Sequence, residues 1–345
     1  MTAISSKSWT SRWRSLLKAT AAAMLTTLIA FFSLTANAWA LGLGKLEGNP
    51  WEVVPLPTEE SMLDISFTEN PNHGWMVGTN SKLLETKDAG KTWQERELML
   101  GEQKYRFSSI DFAGDEGWVA GQPAIMLHTT DAGASWEQIP LSDKLPGSPE
   151  TMTAIDDDTA EMVTDLGAIY RTDDAGRHWK ALVNDAFGVM KSLHRSNDGQ
   201  YVAVSSRGNF FSTWAPGEES WQPHNRNSSR RLQTMGFAPD NRLWLLARGG
   251  VIQLTNSADA EDWGKSQNPA NLNSWGFLDL AYRTPTEAWI VGGSGTLLAS
   301  MDGGQTWKTD KDVEDVPANL YKIKFLDESR GYVLGQRGTF LRYVG

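Results

Sequence analysis

The sequence predicts an all-β protein, a seven-bladed β-propeller. Three observations carry this: a tryptophan that returns at a nearly constant interval, four short strand-like segments within each interval, and a repeated aspartate–glycine turn. The tryptophans are Trp51, Trp93, Trp136, Trp179, Trp221, Trp263 and Trp307, with gaps of 42, 43, 43, 42, 42 and 44 residues. Intervals of that size suit one four-stranded antiparallel blade each.

The strand pattern is clearest in the first complete interval. Met62–Phe67 alternates apolar and polar residues, Gly74–Gly78 is a second short strand, Leu83–Thr86 a third, and Thr92–Glu95 opens a fourth. Turn-forming residues separate them. The second strand returns as Gly117–Gly121, Tyr201–Val204, Leu243–Leu246, Ala288–Gly292 and Gly331–Gly335, with Glu161–Thr164 as a weaker copy.

The turn between third and fourth strands reads Ser/Thr-x-Asp-x-Gly-x-(Thr/Ser)-Trp, the Asp-box. It occurs around Asp88, Asp131, Asp174 and Asp302, with His178 replacing the hydroxyl residue in the third copy. An aspartate there can accept hydrogen bonds from turn amides, and the glycine supplies a backbone conformation that other residues resist. These four aspartates are therefore read as structural. The turns before Trp221 and Trp263 keep the tryptophan but lose the box.

The two ends predict closure. After Trp307 three strands follow, near Leu320–Phe325, Gly331–Gly335 and Thr339–Val344, and Trp51–Val54 supplies the missing fourth strand. The N-terminal strand should close the last blade, leaving no open sheet edge between first and last. The propeller is expected over residues 49–345, after a short segment 41–48.

Residues 1–40 differ in kind. Lys7, Arg12, Arg14 and Lys18 precede an apolar run from Ala19 to Leu34, and Ala38-Trp39-Ala40 has the small-x-small form of a signal-peptidase site. This reads as a secretory signal peptide cleaved after Ala40. Removing its four positive charges takes the formal charge from −10 to −14, which argues against nucleic-acid binding. The chain has no cysteine, so disulfides, thiolate metal sites and a cysteine nucleophile are excluded.

No catalytic motif holds. His73, His128, His178, His194 and His224 show no metal-ligand spacing, and neither a G-x-S-x-G elbow nor a P-loop is present. No cofactor or metal is expected.

Arginine, by contrast, is clustered. Arg207 and Arg248 precede glycines in turns between second and third strands, and Arg337 holds the same place in the last blade. Arg226, Arg230 and Arg231 lie in the connection from the fourth blade to the fifth. In a propeller both kinds of loop share one face, while Asp-boxes lie on the other. Arg207, Arg226, Arg230, Arg231 and Arg248 are thus expected to form a docking patch for carboxylates, because the guanidinium fork binds them with two hydrogen bonds. Arg106, just before a first strand, is a candidate neighbour. Arg195 is also counted among the candidate partner-binding residues, although its place after a first strand points to the other face. The competing expectation is that these arginines pair with local acids such as Asp198, Glu218, Glu219 and Asp240.

Taken together, the Gly-Trp-x-Val-Gly strands, the Asp-boxes, the segment Asn225-Arg226-Asn227-Ser228-Ser229-Arg230-Arg231-Leu232-Gln233-Thr234-Met235-Gly236-Phe237 and the ending Gly335-Gln336-Arg337-Gly338 resemble the photosystem II stability and assembly factor family of cyanobacteria and chloroplasts. The resemblance spans essentially the whole chain after residue 40. It implies a non-enzymatic thylakoid-lumen protein that binds the newly made D1 precursor, aids its assembly with D2, and docks through an arginine patch. Arg226, Arg230 and Arg231 best match that patch. Many cyanobacterial members carry a lipid on a lipobox cysteine, which this sequence lacks, so membrane association through partners is expected of a monomer. The alternatives are a sialidase-like Asp-box glycoside hydrolase, disfavoured by seven blades and the absence of an Arg-Ile-Pro signature, and a structural periplasmic scaffold.

Overall fold

The computed structural model describes residues 50–226, 228–269, 276–310, 316 and 318–345. The expected signal peptide and the short segment after it lie outside the described residues. The described chain forms seven antiparallel sheets, each assembled in chain order from an innermost strand outward. In the first blade the strands are Met62–Phe67, Gly74–Gly78, Leu83–Thr86 and Gln94–Glu95. In the last they are Leu320–Phe325, Gly331–Gly335 and Phe340–Tyr343, and Trp51–Val53 takes the outermost place.

That last sheet closes the ring. Trp51 pairs with Tyr343, Glu52 with Arg342 and Val53 with Leu341. The two ends of the chain are therefore held by one ladder, and both edges it would otherwise expose are paired.

The second strand of each blade is the most deeply buried, because it is covered by both neighbouring blades. Gly74–Gly78, Tyr201–Ser205, Leu243–Ala247, Ala288–Gly292 and Gly331–Gly335 are buried at every position. Large aromatic rings link adjacent blades. Trp75 meets Trp136 edge-on at 6.0 Å between ring centroids, and Trp118 meets Trp179 at 5.8 Å. Edge-on contacts of this kind suit the charge distribution of the rings.

The Asp-boxes explain why these blades share one geometry. Thr86 Oγ1 donates to Asp88 (2.8 Å) and accepts from Gly90 N–H (3.0 Å). Asp88 accepts from Thr92 N–H (2.9 Å) and the Thr92 hydroxyl (2.6 Å). The boxes of Asp131, Asp174 and Asp302 repeat this network, and His178 Nδ1 takes the hydroxyl's place 2.6 Å from Asp174. These hydrogen bonds hold the Asp88 carboxyl below its usual range despite the opposing effect of burial, and hold the Asp174 carboxyl down at about 2. Gly133 has φ +86, and a Cβ there would lie 2.5 Å from the Trp75 ring of the preceding blade. Its missing side chain is what allows the box to seat on its neighbour.

The fifth blade departs from four full strands. Among the described residues it has three strands, and the outermost position is reduced to isolated bridges, Ile252 to Gln267 and Thr255 to Trp263. This is where the box is lost. In its place Asn256 and Asp262 hydrogen-bond to each other across their own loop (2.9 Å). The fourth blade also lacks a box but keeps its outer strand, Gln222–Asn225.

Candidate protein-docking face

The up-and-down order of strands sorts all loops onto two ends of the ring. Connections between blades and turns between second and third strands lie at one end, the connection end. The Asp-boxes and the turns between first and second strands lie at the other, the box end.

Five of the expected arginines meet at the connection end. Arg207 lies in the turn between Tyr201–Ser205 and Phe210–Trp214, and Arg248 in the turn between Leu243–Ala247 and Val251–Leu254. Arg226, Arg230 and Arg231 lie in the connection between Gln222–Asn225 and Leu232–Phe237. The backbone joins the three segments: Leu232 N–H donates to Gly208 O (2.7 Å) and Arg248 N–H to Arg231 O (2.9 Å). The side chains extend the network, with Arg231 Nη1 donating to Arg207 O (2.9 Å) and Arg226 Nη1 to Arg230 O (3.0 Å).

These contacts hold the arginines in place without neutralising them. Among the described residues, none of the five has a carboxylate oxygen within 4.0 Å. Arg207, Arg230, Arg231 and Arg248 are exposed, and Arg226 is half-buried. Burial pushes the Arg226 guanidinium below its usual value, since no carboxylate offsets its lost hydration. The proposed local partners are elsewhere. Asp198, Glu218, Glu219 and Asp240 all belong to box-end loops; Asp240 is engaged by Arg242 (2.7 Å), and Asp198 accepts from Gln200 (2.9 Å) and Asn241 (3.0 Å).

Arg195 does not share this face. It ends the strand Met190–Arg195 at the box end, where its Nε donates to Glu161 (2.9 Å), a buried carboxylate of the preceding blade. Burial works against the charge of Arg195, but Tyr201 and Glu161 together hold its pKa above the usual value. Arg106 does lie at the connection end, at the start of Arg106–Ala113, yet it faces Glu150 at 3.5 Å.

Sequence reasoning missed Lys191. Its Nζ donates to Leu232 O (3.1 Å) and to Gln233, so it stands beside the arginine cluster at the rim of the central channel. Burial and the neighbouring Arg248 charge lower its pKa. The available signal was its position one residue into a first strand, at the connection end.

The channel itself has a volume of about 1030 Å³. Its wall contains an internal ion cluster: Lys322 contacts Asp64 at 2.6 Å, and Lys324 stands 3.9 Å from Asp64 and 3.8 Å from Asp111. Burial opposes the Asp64 charge, but the two lysines hold its carboxyl below the usual range, whereas burial prevails at Asp111 and raises it. Asp64 also accepts from Ile110 N–H (3.1 Å), which ties first strand to first strand. Among the described residues no group of three or more potential ligands could hold a metal ion. The five histidines each face a carboxylate, with His73 on Glu85, His128 on Glu116, His178 on Asp174, His194 on Asp279 and His224 on Glu261.

The fold and its two ends define an Asp-box propeller with a cluster of five arginines at one end that have no carboxylate within ion-pair distance among the described residues. Comparison with known proteins says which propeller. Residues 43–344 match the family described as photosynthesis system II assembly factor YCF48. The photosystem II assembly protein Ycf48 of Thermosynechococcus vestitus is 56% identical over 321 residues, covering 93% of this chain and 92% of the relative. The photosystem II assembly lipoprotein Ycf48 of Trichormus variabilis is 60% identical over 295 residues, covering 86% and 87%. A solved structure of YCF48 bound to D1 peptide superimposes with a TM-score of 0.84 at 54% identity, covering 87% of this chain and 98% of that one. The chain belongs to the Ycf48 family of photosystem II assembly factors. This is a non-enzymatic family, which sets aside the glycoside hydrolase alternative.

Proposed function

We propose that this chain binds newly made D1 in the thylakoid lumen and aids its assembly with D2, docking through Arg207, Arg226, Arg230, Arg231 and Arg248. The observation that carries the docking face is the absence of acidic neighbours. Five arginines at one end have no carboxylate partner among the described residues, on a chain with a net formal charge of −10. An acidic segment of D1 would supply the missing carboxylates, and each guanidinium can present two parallel donors to one. Arginine at such a site contributes to partner selection as well as affinity. The relative solved with a D1 peptide supports D1 as that partner.

Export by residues 1–40 would deliver the chain to the lumen. Some relatives are lipoproteins, whereas these 345 residues contain no cysteine to carry such a lipid. Among the described residues no helix is long and apolar enough to cross a membrane. Association with the membrane through the D1 partner is part of this reading.

The test is a pull-down from solubilised thylakoids. Wild type should retain D1 and D2, and a folded variant with all five arginines changed to glutamate should retain neither. Equal retention by the two would move the docking site elsewhere; capture of nothing by either would remove D1 as the partner.

A further inference from the structure

Three turns at the connection end share one backbone geometry. In blades one, six and seven, second and third strands are joined through Asn80–Ser81, Ser294–Gly295 and Arg337–Gly338, with φ values of 55 and 60, 54 and 69, and 56 and 67. Each is closed by a hydrogen bond spanning three residues: Lys82 N–H to Thr79 O (3.1 Å), Thr296 N–H to Gly293 O (3.2 Å) and Thr339 N–H to Gln336 O (3.2 Å). These are type I′ turns, in which both central residues occupy the left-handed region, and asparagine or glycine suits the first of them. Blade one follows that rule with Asn80. Blade six places Ser294 there and blade seven the much longer Arg337, each in a conformation that a Cβ makes unfavourable.

The turn itself does not require an arginine. Arg337 is exposed, and among the described residues no carboxylate lies within 4.0 Å of it. Acids are close in sequence to the chain that the turn rests on, since a Cβ on Gly338 would lie 2.2 Å from Thr58 O. The Glu60 oxygens, however, are already taken by Thr79 (2.6 Å) and Asn80 (2.6 Å). Among the described residues Arg337 thus has no carboxylate within ion-pair distance, and it is held in a strained backbone conformation at the same end as the arginine cluster. Strain kept at an exposed position points to use rather than to folding.

We propose that Arg337 is a second docking point for D1, engaging an acidic part of it two blades beyond the cluster of blades four and five. This rests on the docking reading above. The partner would cross the mouth of the channel, with carboxylates on guanidinium groups to either side, and two separated anchors would fix its direction as well as its affinity.

The experiment measures thermal stability, and D1 binding with detergent-solubilised D1 precursor at several salt concentrations, for wild type, Arg337→Asn, Arg337→Lys and Arg226→Glu/Arg230→Glu/Arg231→Glu. Arg337→Asn should raise Tm by roughly 1–3 °C, because the strain is relieved. It should also weaken D1 binding about three- to tenfold and flatten its salt dependence. Arg337→Lys, which keeps the charge but loses the two-donor fork, should keep the salt dependence of wild type while binding more weakly than it and more tightly than Arg337→Asn. Unchanged binding by Arg337→Asn beside a weakened triple variant overturns the second docking point and leaves the first in place. Full binding by the triple variant overturns the docking reading and this inference with it. A fall in Tm for Arg337→Asn assigns the residue to the fold.

Discussion

At the box end, Arg195 donates to the buried Glu161, Arg242 to Asp240, Arg283 to Glu287 and Arg330 to Asp327; Arg177, inside the third Asp-box, is the exception. At the connection end, Arg226 and Arg231 donate to main-chain carbonyls, and no carboxylate comes within ion-pair distance of the five clustered arginines among the described residues. The same side chain therefore does different work in the cluster and at the box end, while Arg106 and Arg96, at the connection end but outside the cluster, are paired with Glu150 and Glu85. A carboxylate partner supplied from within the chain consumes the charge in holding loops together. A carbonyl partner orients the guanidinium and leaves its charge available to something that arrives from outside. Counting arginines in a sequence therefore does not say which of them are paired within the chain; their neighbours in the fold do.

The sharpest way to break this comparison is to remove a partner at the box end. Glu161 accepts from Arg195 and from the Tyr201 hydroxyl, both at 2.9 Å, so Glu161→Gln strands a half-buried guanidinium. The expected loss is about 3 kcal/mol of stability, the lower part of the range for a broken buried pair. D1 binding should be retained at temperatures where the variant is folded. Denaturant melts and D1 binding on the same preparation check this, and a binding defect without a stability defect would mean the box end also docks.

Salt gives the next largest effect. The connection-end charges are exposed, so raising salt from low to physiological ionic strength should weaken D1 binding about tenfold, or ~1.4 kcal/mol. At the box end the Glu161 and Glu287 carboxylates are buried and their pairs lie within one chain, so Tm should move far less over the same range. An affinity that ignores salt would show that the arginines are not the contact.

The smallest expected effect separates the ends by pH. Hydrogen bonds from Thr306 and Ser300 outweigh the burial of Asp302 and hold its carboxyl below the usual range, and Asp327 is held down at about 2 by burial-opposing bonds from Ser329 and Arg330. A carboxyl depressed by folding stabilises above its unfolded value, near ~4, and that contribution is lost as pH falls through its folded value. Asp302→Asn should therefore lower Tm by on the order of 2 °C at neutral pH, and the gap from wild type should close on acidification below about pH 4. A gap that persists to pH 2 would show that the side chain's shape, rather than its charge, holds the turn. Arginines stay charged throughout this range, so no parallel loss is expected at the connection end.

Much of this architecture is legible in the sequence because its determinants are short-ranged. The bonds made by the aspartate and the first hydroxyl of a box join residues no more than four apart, so Thr86-Asp88-Gly90-Thr92-Trp93 announces its own turn. The tryptophan interval counts the blades, and the orphan strand Trp51–Val54 foretells the ladder with Phe340–Tyr343 that closes the ring. The up-and-down order then assigns Arg207, Arg226, Arg230, Arg231 and Arg248 to one end before any coordinate is known. Tertiary structure alone decided which charges are spent. Glu161 stands 34 positions before Arg195 and reaches it only because adjacent blades converge there. Lys191 joins the cluster across 41 positions through Leu232 O. A local turn is written in the residues that form it, whereas the partner of a long flexible side chain depends on which neighbour the closed ring brings within reach.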